Sequence, residues 1–231
     1  MSRVESKTES DQQREDILLL GNLNLPGFGE ILGYCMKKYK KPCVLVTAAN
    51  VSVYESLLSS LLPSSPFYQE KLLPLPLILH GSAAEQQSVD IPKEQDSRVQ
   101  TRVATNLVQS EDTSSPPQQA TFDCLVLLGA NELLQPGNMR DQVYDIFQKL
   151  PGNISVLVLA NEMIVPTLEV LPRFMRPESV QELADGYLCL VARAALELGL
   201  SDRTNFNLTP YCERYNRVRE CHRELSDLAA V

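Results

Sequence analysis

The chain has no tryptophan and only two histidines, His80 and His222, among 231 residues. Aromatic residues make up 6%, against 44% hydrophobic residues in all. A core built from this chain is therefore aliphatic, dominated by Leu, Val and Ala. Two histidines and six cysteines without a C-x-x-C pair do not assemble a zinc ligand set, so no metal site is expected. Cys43, Cys124 and Cys189 lie inside apolar runs, where a free thiol packs as a small hydrophobe. Basic residues are also in deficit, and the net charge is −8. A general nucleic-acid role needs clustered Lys and Arg to neutralise phosphates, so that role is not expected. The one dense basic run is Lys37-Lys38-Tyr39-Lys40-Lys41. Its position before an apolar segment fits a helix end, where Lys complements the dipole, or a patch for phosphate or an acidic partner. No run approaches the ~20 apolar residues that span a bilayer. The first residues, MSRVESKTESDQQRED, lack the apolar stretch of a secretory signal. An intracellular protein of the cytoplasm or nucleus is expected, without a membrane segment.

What the sequence does hold is a series of short apolar runs, each ending in a turn. Asp16–Leu20 (DILLL) ends at Gly21. Pro42–Thr47 (PCVLVT), Phe122–Leu128 (FDCLVLL) and Ile154–Leu159 (ISVLVL) follow the same plan. The second run is apolar throughout rather than alternating, the signature of a strand covered on both faces, and the others hold continuous apolar stretches. Leu75–Leu79 (LPLIL) reads as a further strand, but Pro76 assigns it to an edge or a strand start. Helical patterns lie between the runs: Glu30–Tyr39, Val51–Leu62, Met139–Leu150, Glu178–Leu198 and Pro210–Leu228. Val180, Leu183, Leu188, Val191, Ala195 and Leu198 cover much of the circumference of the fourth, which predicts a well-buried helix.

Alternation of strands and helices predicts an α/β fold of three layers, a mainly parallel sheet with helices on both faces. It could be Rossmann-like, flavodoxin-like or SGNH-like. Residues 1–15 read as a disordered tail and 16–231 as one domain. Residues 81–121 are rich in Gln, Ser, Asp and Glu and read as a long flexible insertion, with Val99–Val108 as a short element inside it.

In such folds ligands sit at the carboxyl ends of the strands. Two of those ends are near twins, Gly129-Ala130-Asn131-Glu132 and Leu159-Ala160-Asn161-Glu162. Asn131 and Asn161 could donate to an oxyanion, and Glu132 and Glu162 could act as general bases. The same residue types also cap and solvate the start of a helix. The loop after the first run carries Gly21, Asn22, Gly27 and Gly29, and glycines before a helix can bind phosphate on free backbone N–H groups. The spacing is not G-x-G-x-x-G, and no G-K-[ST] follows, so the alternative is a tight turn and close helix packing. Ser52, Ser82 and Cys124 are the nucleophiles near strand ends, with His80 after LPLIL as a candidate partner.

The segment Asp123–Glu132 (DCLVLLGANE) resembles the third conserved block of the SGNH/GDSL hydrolases, whose G-x-N-D supplies an oxyanion Asn. Asn131 matches that Asn, and Glu132 stands in place of the Asp. Asp16–Asn22 (DILLLGN) resembles the first block, but G-D-S reads Gly21-Asn22-Leu23, which puts Leu23 at the nucleophile position. The closing D-x-x-H has no match, since His222 follows Arg219 by three residues. The resemblance implies a pseudo-enzyme that uses the fold for binding. A second likeness is to RecA-like domains that have lost the Walker lysine, with Glu132 in the place of the strand-end acid. The leading expectation is a non-catalytic scaffold or adaptor subunit that binds another protein and needs no cofactor. The alternative is an esterase-like hydrolase, or a small-ligand or nucleotide-binding protein, that uses the strand-end residues.

Overall fold

The computed structural model describes residues 14–61, 77–80 and 122–230. Most of the expected tail and all of the expected insertion 81–121, with Val99–Val108 and Ser82, lie outside those residues. The described chain forms β1 (Ile17–Leu20), β2 (Pro42–Val46), β3 (Leu77–His80), β4 (Cys124–Leu128) and β5 (Ser155–Ala160). The sheet order is β1-β5-β4-β2-β3. β1, β5, β4 and β2 run parallel, and β3 pairs antiparallel to β2 at the edge. A mainly parallel α/β fold is thus what the continuous apolar runs specify.

Every residue of β1, β2, β4 and β5 is buried. Side chains alternate between faces along a strand, so unbroken burial means that both faces of the sheet are covered. Full burial of one Leu or Val side chain contributes about 1.5–3 kcal/mol, so these strands supply a large share of the driving force for folding. Burial also governs the thiols: it pushes Cys35 and Cys43 up to about 12 and Cys124 higher still.

The helices are α1 (Phe28–Met36), α2 (Ala48–Leu61), α3 (Ala130–Leu133), α4 (Asn138–Lys149), α5 (Val165–Leu168), α6 (Pro177–Glu197) and α7 (Thr209–Ala229). α6 starts with Pro177 in its first turn, where no N–H is needed. It stops where Gly199 takes φ +62° and the Leu200 N–H returns to the Ala195 carbonyl at 2.8 Å. Its buried residues form one stripe: Val180, Leu183, Ala184, Tyr187, Val191, Ala194 and Ala195. Leu188 and Leu190 flank it half-buried against the core, and the remaining face, with Glu182, Asp185, Cys189, Arg193 and Leu196, is exposed. Cys189 is exposed rather than packed, because it falls on the open side.

One feature of the order was not readable from the runs. β1 lies at an edge, whereas the first strand is interior in the 3-2-1-4-5-6 and 2-1-3-4-5 orders of dinucleotide-binding and flavodoxin-like folds. β4 and β5 fill the space between β1 and β2. The loop after β1 therefore has the β5 loop as its only strand-end neighbour among the described residues.

Candidate functional site at the carboxyl edge of the sheet

The four parallel strands place their carboxyl ends side by side, in the order Gly21, Asn161, Gly129 and Thr47. Adjacent strands are ~4.8 Å apart, so neighbouring loops can exchange direct side-chain bonds. The structure brings the four predicted side chains to this edge and then divides them into three separate contacts.

The first contact joins β4 to β5. The Asn131 side-chain amide donates to Asn161 Oδ1 at 2.6 Å, and the Asn161 backbone N–H donates to Asn131 Oδ1 at 2.7 Å. Asn161 Oδ1 also accepts from the Met163 N–H at 3.0 Å, which caps the 3-10 turn Glu162–Ile164. Asn161 is therefore a cap, as its position after a strand allows. Asn131 is not: it lies inside α3, whose N-cap is Gly129. With both ends of its amide engaged, Asn131 is a clamp between two strand-end loops.

The second contact joins β4 to β2. Glu132 Oε2 accepts from Asn50 Nδ2 at 2.6 Å and from the Thr47 hydroxyl at 3.4 Å. Thr47 also accepts from the Asn50 N–H at 3.3 Å, holding the first turn of α2. Gly129 is required here. Its φ is +70°, and a Cβ at this position would stand 2.1 Å from Asn50 Nδ2. Beneath this contact Tyr54 is buried, and burial first and the Glu132 carboxylate second push its phenol up.

The third contact fastens α7. Glu162 accepts from Arg217 at 2.9 Å, and Arg214 approaches it to 3.9 Å. Arg217 is mostly exposed, but the Glu162 side chain is only 19% exposed. Tyr187 of α6 donates to the Leu20 carbonyl at 3.0 Å, and Tyr211 of α7 donates to the Pro26 carbonyl at 3.0 Å. The two long helices thus close over the end of β1 and its loop.

That closure explains the glycines. Gly27 takes φ +78° as the N-cap of α1, and a Cβ there would meet the Phe206 ring at 2.9 Å and Leu200 at 3.1 Å. Gly21 takes φ +150°, and its Cβ position is filled by Phe28 and Leu25. Gly29 has an ordinary backbone and a looser neighbour, Leu23 at 3.7 Å. Asn22 accepts from the Asn24 N–H at 3.0 Å and shapes the turn. The start of α1 is packed against the α6–α7 linker, the tight-turn alternative weighed for this loop.

The two segments of the hydrolase resemblance fall on β1 and β4, with β5 between them. Their loops are two strand spacings apart, roughly 10 Å. Leu23 packs against the core. His222, on α7, places Nε2 3.1 Å from the Pro177 carbonyl, and Ser52 donates to the Ala49 carbonyl at 2.9 Å. Cys124 opens β4 and so lies at the opposite edge of the sheet. His80 is on β3, opposite Cys43. None of these candidate nucleophiles and bases is joined to another by a hydrogen bond among the described side chains.

Thr47, Asn50 and Arg217 were not singled out from sequence, yet each holds one of the predicted residues. A signal for Asn50 was present: Thr47-Ala48-Ala49-Asn50 follows β2 much as Gly129-Ala130-Asn131 follows β4. Arg217 carries no such local mark, since its partner is 55 residues away. Among the described residues no group of His, Cys, Asp and Glu is placed to hold a metal ion. No described helix is long and apolar enough to cross a membrane. A cavity of about 390 Å³ opens beside the amino end of β1, lined by Arg14, Asp16, Arg173, Ser179 and Glu182 among others. Both of its arginines are paired with Asp16. No protein-family model matches the chain, and no solved structure is a significant match.

Proposed function

We propose that this chain is a non-catalytic α/β protein that works as a scaffold or adaptor, through contacts with another protein. The observation that carries the reading is the engagement of the strand-end side chains with one another. Asn131 holds Asn161 at both ends of its amide, Glu132 holds Asn50 and Thr47, and Glu162 holds Arg217. An oxyanion donor must present its N–H to the substrate, and a general base must reach the proton that it takes. Here one N–H of the Asn131 amide is given to Asn161, and the carboxylates stabilise the seams between β2 and β4 and between β5 and α7. The edge where open α/β folds bind ligands is used in this chain for internal fastening. Exposed apolar side chains such as Met175, Leu196 and Leu228 offer contact area elsewhere.

The test is affinity purification with covalent cross-linking, using the tagged full chain and its Asn131→Ala/Glu132→Ala variant. A partner set that is specific and the same for both supports the adaptor reading. Recovery of no partner by the wild type overturns it. So does hydrolysis of short-chain p-nitrophenyl esters by the purified protein that falls in the variant, which would return the strand ends to catalysis.

A further inference from the structure

At the opposite edge of the sheet, the turn from α1 into β2 carries Lys37, Lys38, Lys40 and Lys41. These are half of the eight lysines in a chain of net charge −8. All four are exposed. The carboxylate beside them, Asp123, is bound to the backbone of the turn: it accepts from the Lys40 N–H at 2.7 Å and the Lys41 N–H at 3.0 Å. The Asp123 N–H donates in return to the Lys41 carbonyl at 3.1 Å. The Lys37 N–H reaches Gly33, and the Tyr39 N–H reaches Met36. Tyr39 itself is half-buried and packs against the core. Only Lys38 has a carboxylate near its ammonium among the described residues, Glu15 at 3.4 Å. The backbone is therefore pinned along its length while Lys37, Lys40 and Lys41 project into solvent without an ion pair among the described residues.

A helix C-terminus explains part of this arrangement. Lys37 and Lys38 follow Met36, the last residue of α1, and complement its dipole. The dipole acts within the last turn, so it gives no account of Lys40 and Lys41. Asp123 forms no salt bridge with a lysine among the described residues, and its single charge leaves the turn with an excess of cations.

We infer that the Lys37–Lys41 turn is a docking site for an acidic segment of a partner protein, a short run of Asp and Glu side chains. The inference rests on the protein-binding reading above and adds the place and the chemistry of the contact. Charge complementarity selects the occupant. Four cations within five residues match a short run of carboxylates, and the pinned backbone lowers the ordering cost on this side. Each exposed pair contributes about 0–1 kcal/mol, so the contact is weak alone and sensitive to salt. A nucleic-acid duplex fits less well. It would bring a long row of phosphates against a chain that is acidic elsewhere, with few cations to neutralise them.

The experiment uses the purified full chain and a fluorescent deca-glutamate peptide, with binding read by anisotropy at low and at physiological salt. Wild type is expected to bind at low salt, and Lys40→Glu/Lys41→Glu to bind about tenfold more weakly, the equivalent of about 1.4 kcal/mol. The charge-matched variant Lys149→Glu/Arg223→Glu, which changes exposed cations on α4 and α7, is expected to stay within about twofold of wild type. Equal losses in the two variants would reduce the effect to net charge and overturn the site. Absence of binding by the wild type overturns it as well, as does tighter binding of duplex DNA or of vesicles containing phosphatidylinositol phosphates with the same lysine dependence. Far-ultraviolet circular dichroism checks the fold, and Lys40→Gln/Lys41→Gln replaces the charge reversal if that variant unfolds. Cross-linking separates the two readings: a wild type with partners that the lysine variant retains defeats the lysine site alone, and a wild type without partners defeats the adaptor reading.

Discussion

The two edges of the sheet hold similar polar residues and use them differently. At the carboxyl edge, Asn131, Asn161, Glu132 and Glu162 bond chiefly to other side chains. At the amino edge the polar side chains bond chiefly to backbone. Asp16 accepts from the Val156 N–H at 3.1 Å, Ser155 from the Glu15 N–H at 3.0 Å, and Asp123 from Lys40 and Lys41. Arg173 donates to the carbonyls of Ile154 at 2.6 Å and Pro151 at 3.2 Å and lies 3.5 Å from Asp16. The difference teaches where stability resides. A side-chain pair can be lost with its partners turning to water, but a strand start whose backbone groups lose their partner leaves buried polar groups unpaired.

The sharpest way to break the comparison is Arg173→Leu. The Arg173 side chain is only 10% exposed, and burial lowers its affinity for the proton while Asp16 restores part of it. Its removal leaves the Ile154 carbonyl without this donor and takes one of two arginines from Asp16, so a loss of about 3 kcal/mol in urea denaturation is expected. A loss no larger than that of a carboxyl-edge variant would mean that the two edges are equivalent.

Gly129→Ala comes next. The residue would have to hold φ +70° with its Cβ against Asn50, at a cost of about 2 kcal/mol. Pairing it with Asn50→Ala removes the collision and should recover part of that loss. If the double variant is no better than the single one, the strain is in the backbone and not in the Glu132 contact.

Asn131→Ala should cost about 1 kcal/mol or less, since the Asn161 N–H is left to water at an exposed site. Thermal unfolding of the variant beside Arg173→Leu measures the contrast directly.

The smallest effect concerns Asp185, where Tyr215 of α7 meets α6. Hydrogen bonds from Gln181 and then Tyr215 hold this carboxyl below its usual 3.8. A carboxyl lowered in the folded state contributes stability that is present above that value and lost as the pH falls through its folded value. Asp185→Asn should therefore melt slightly below wild type at neutral pH and match it in acid, in a pH series of melting curves. A constant difference across the series would assign the effect to packing.

The strands and most helices were legible because their signals are local. Cys124–Leu128 and Val156–Ala160 are apolar at every position, and a strand with both faces covered needs little else. The short helix Ala130–Leu133 and the turns at Glu162–Ile164 and Pro172–Phe174 were not legible. Three or four residues carry too little periodicity, and long-range packing decides their form. Within the site, the residues were found and their partners were not. Asn131 and Glu132 stand next to each other in the chain but face different strands, Asn131 toward β5 and Glu132 toward β2. Adjacent side chains on one helical turn point about 100° apart, so a sequence motif that pairs them does not pair them in space.

The sequence by itself determined the layer architecture, the aliphatic core and the positions of the turns, since those follow from hydrophobic pattern and local backbone preference. Only the tertiary structure decided the order of the strands and hence which turns are neighbours. It placed β1 at an edge, set β5 between the two segments of the hydrolase resemblance and brought α7 over Glu162. Contacts of that range depend on which faces bury the most surface together, a property of the whole chain that no single segment carries.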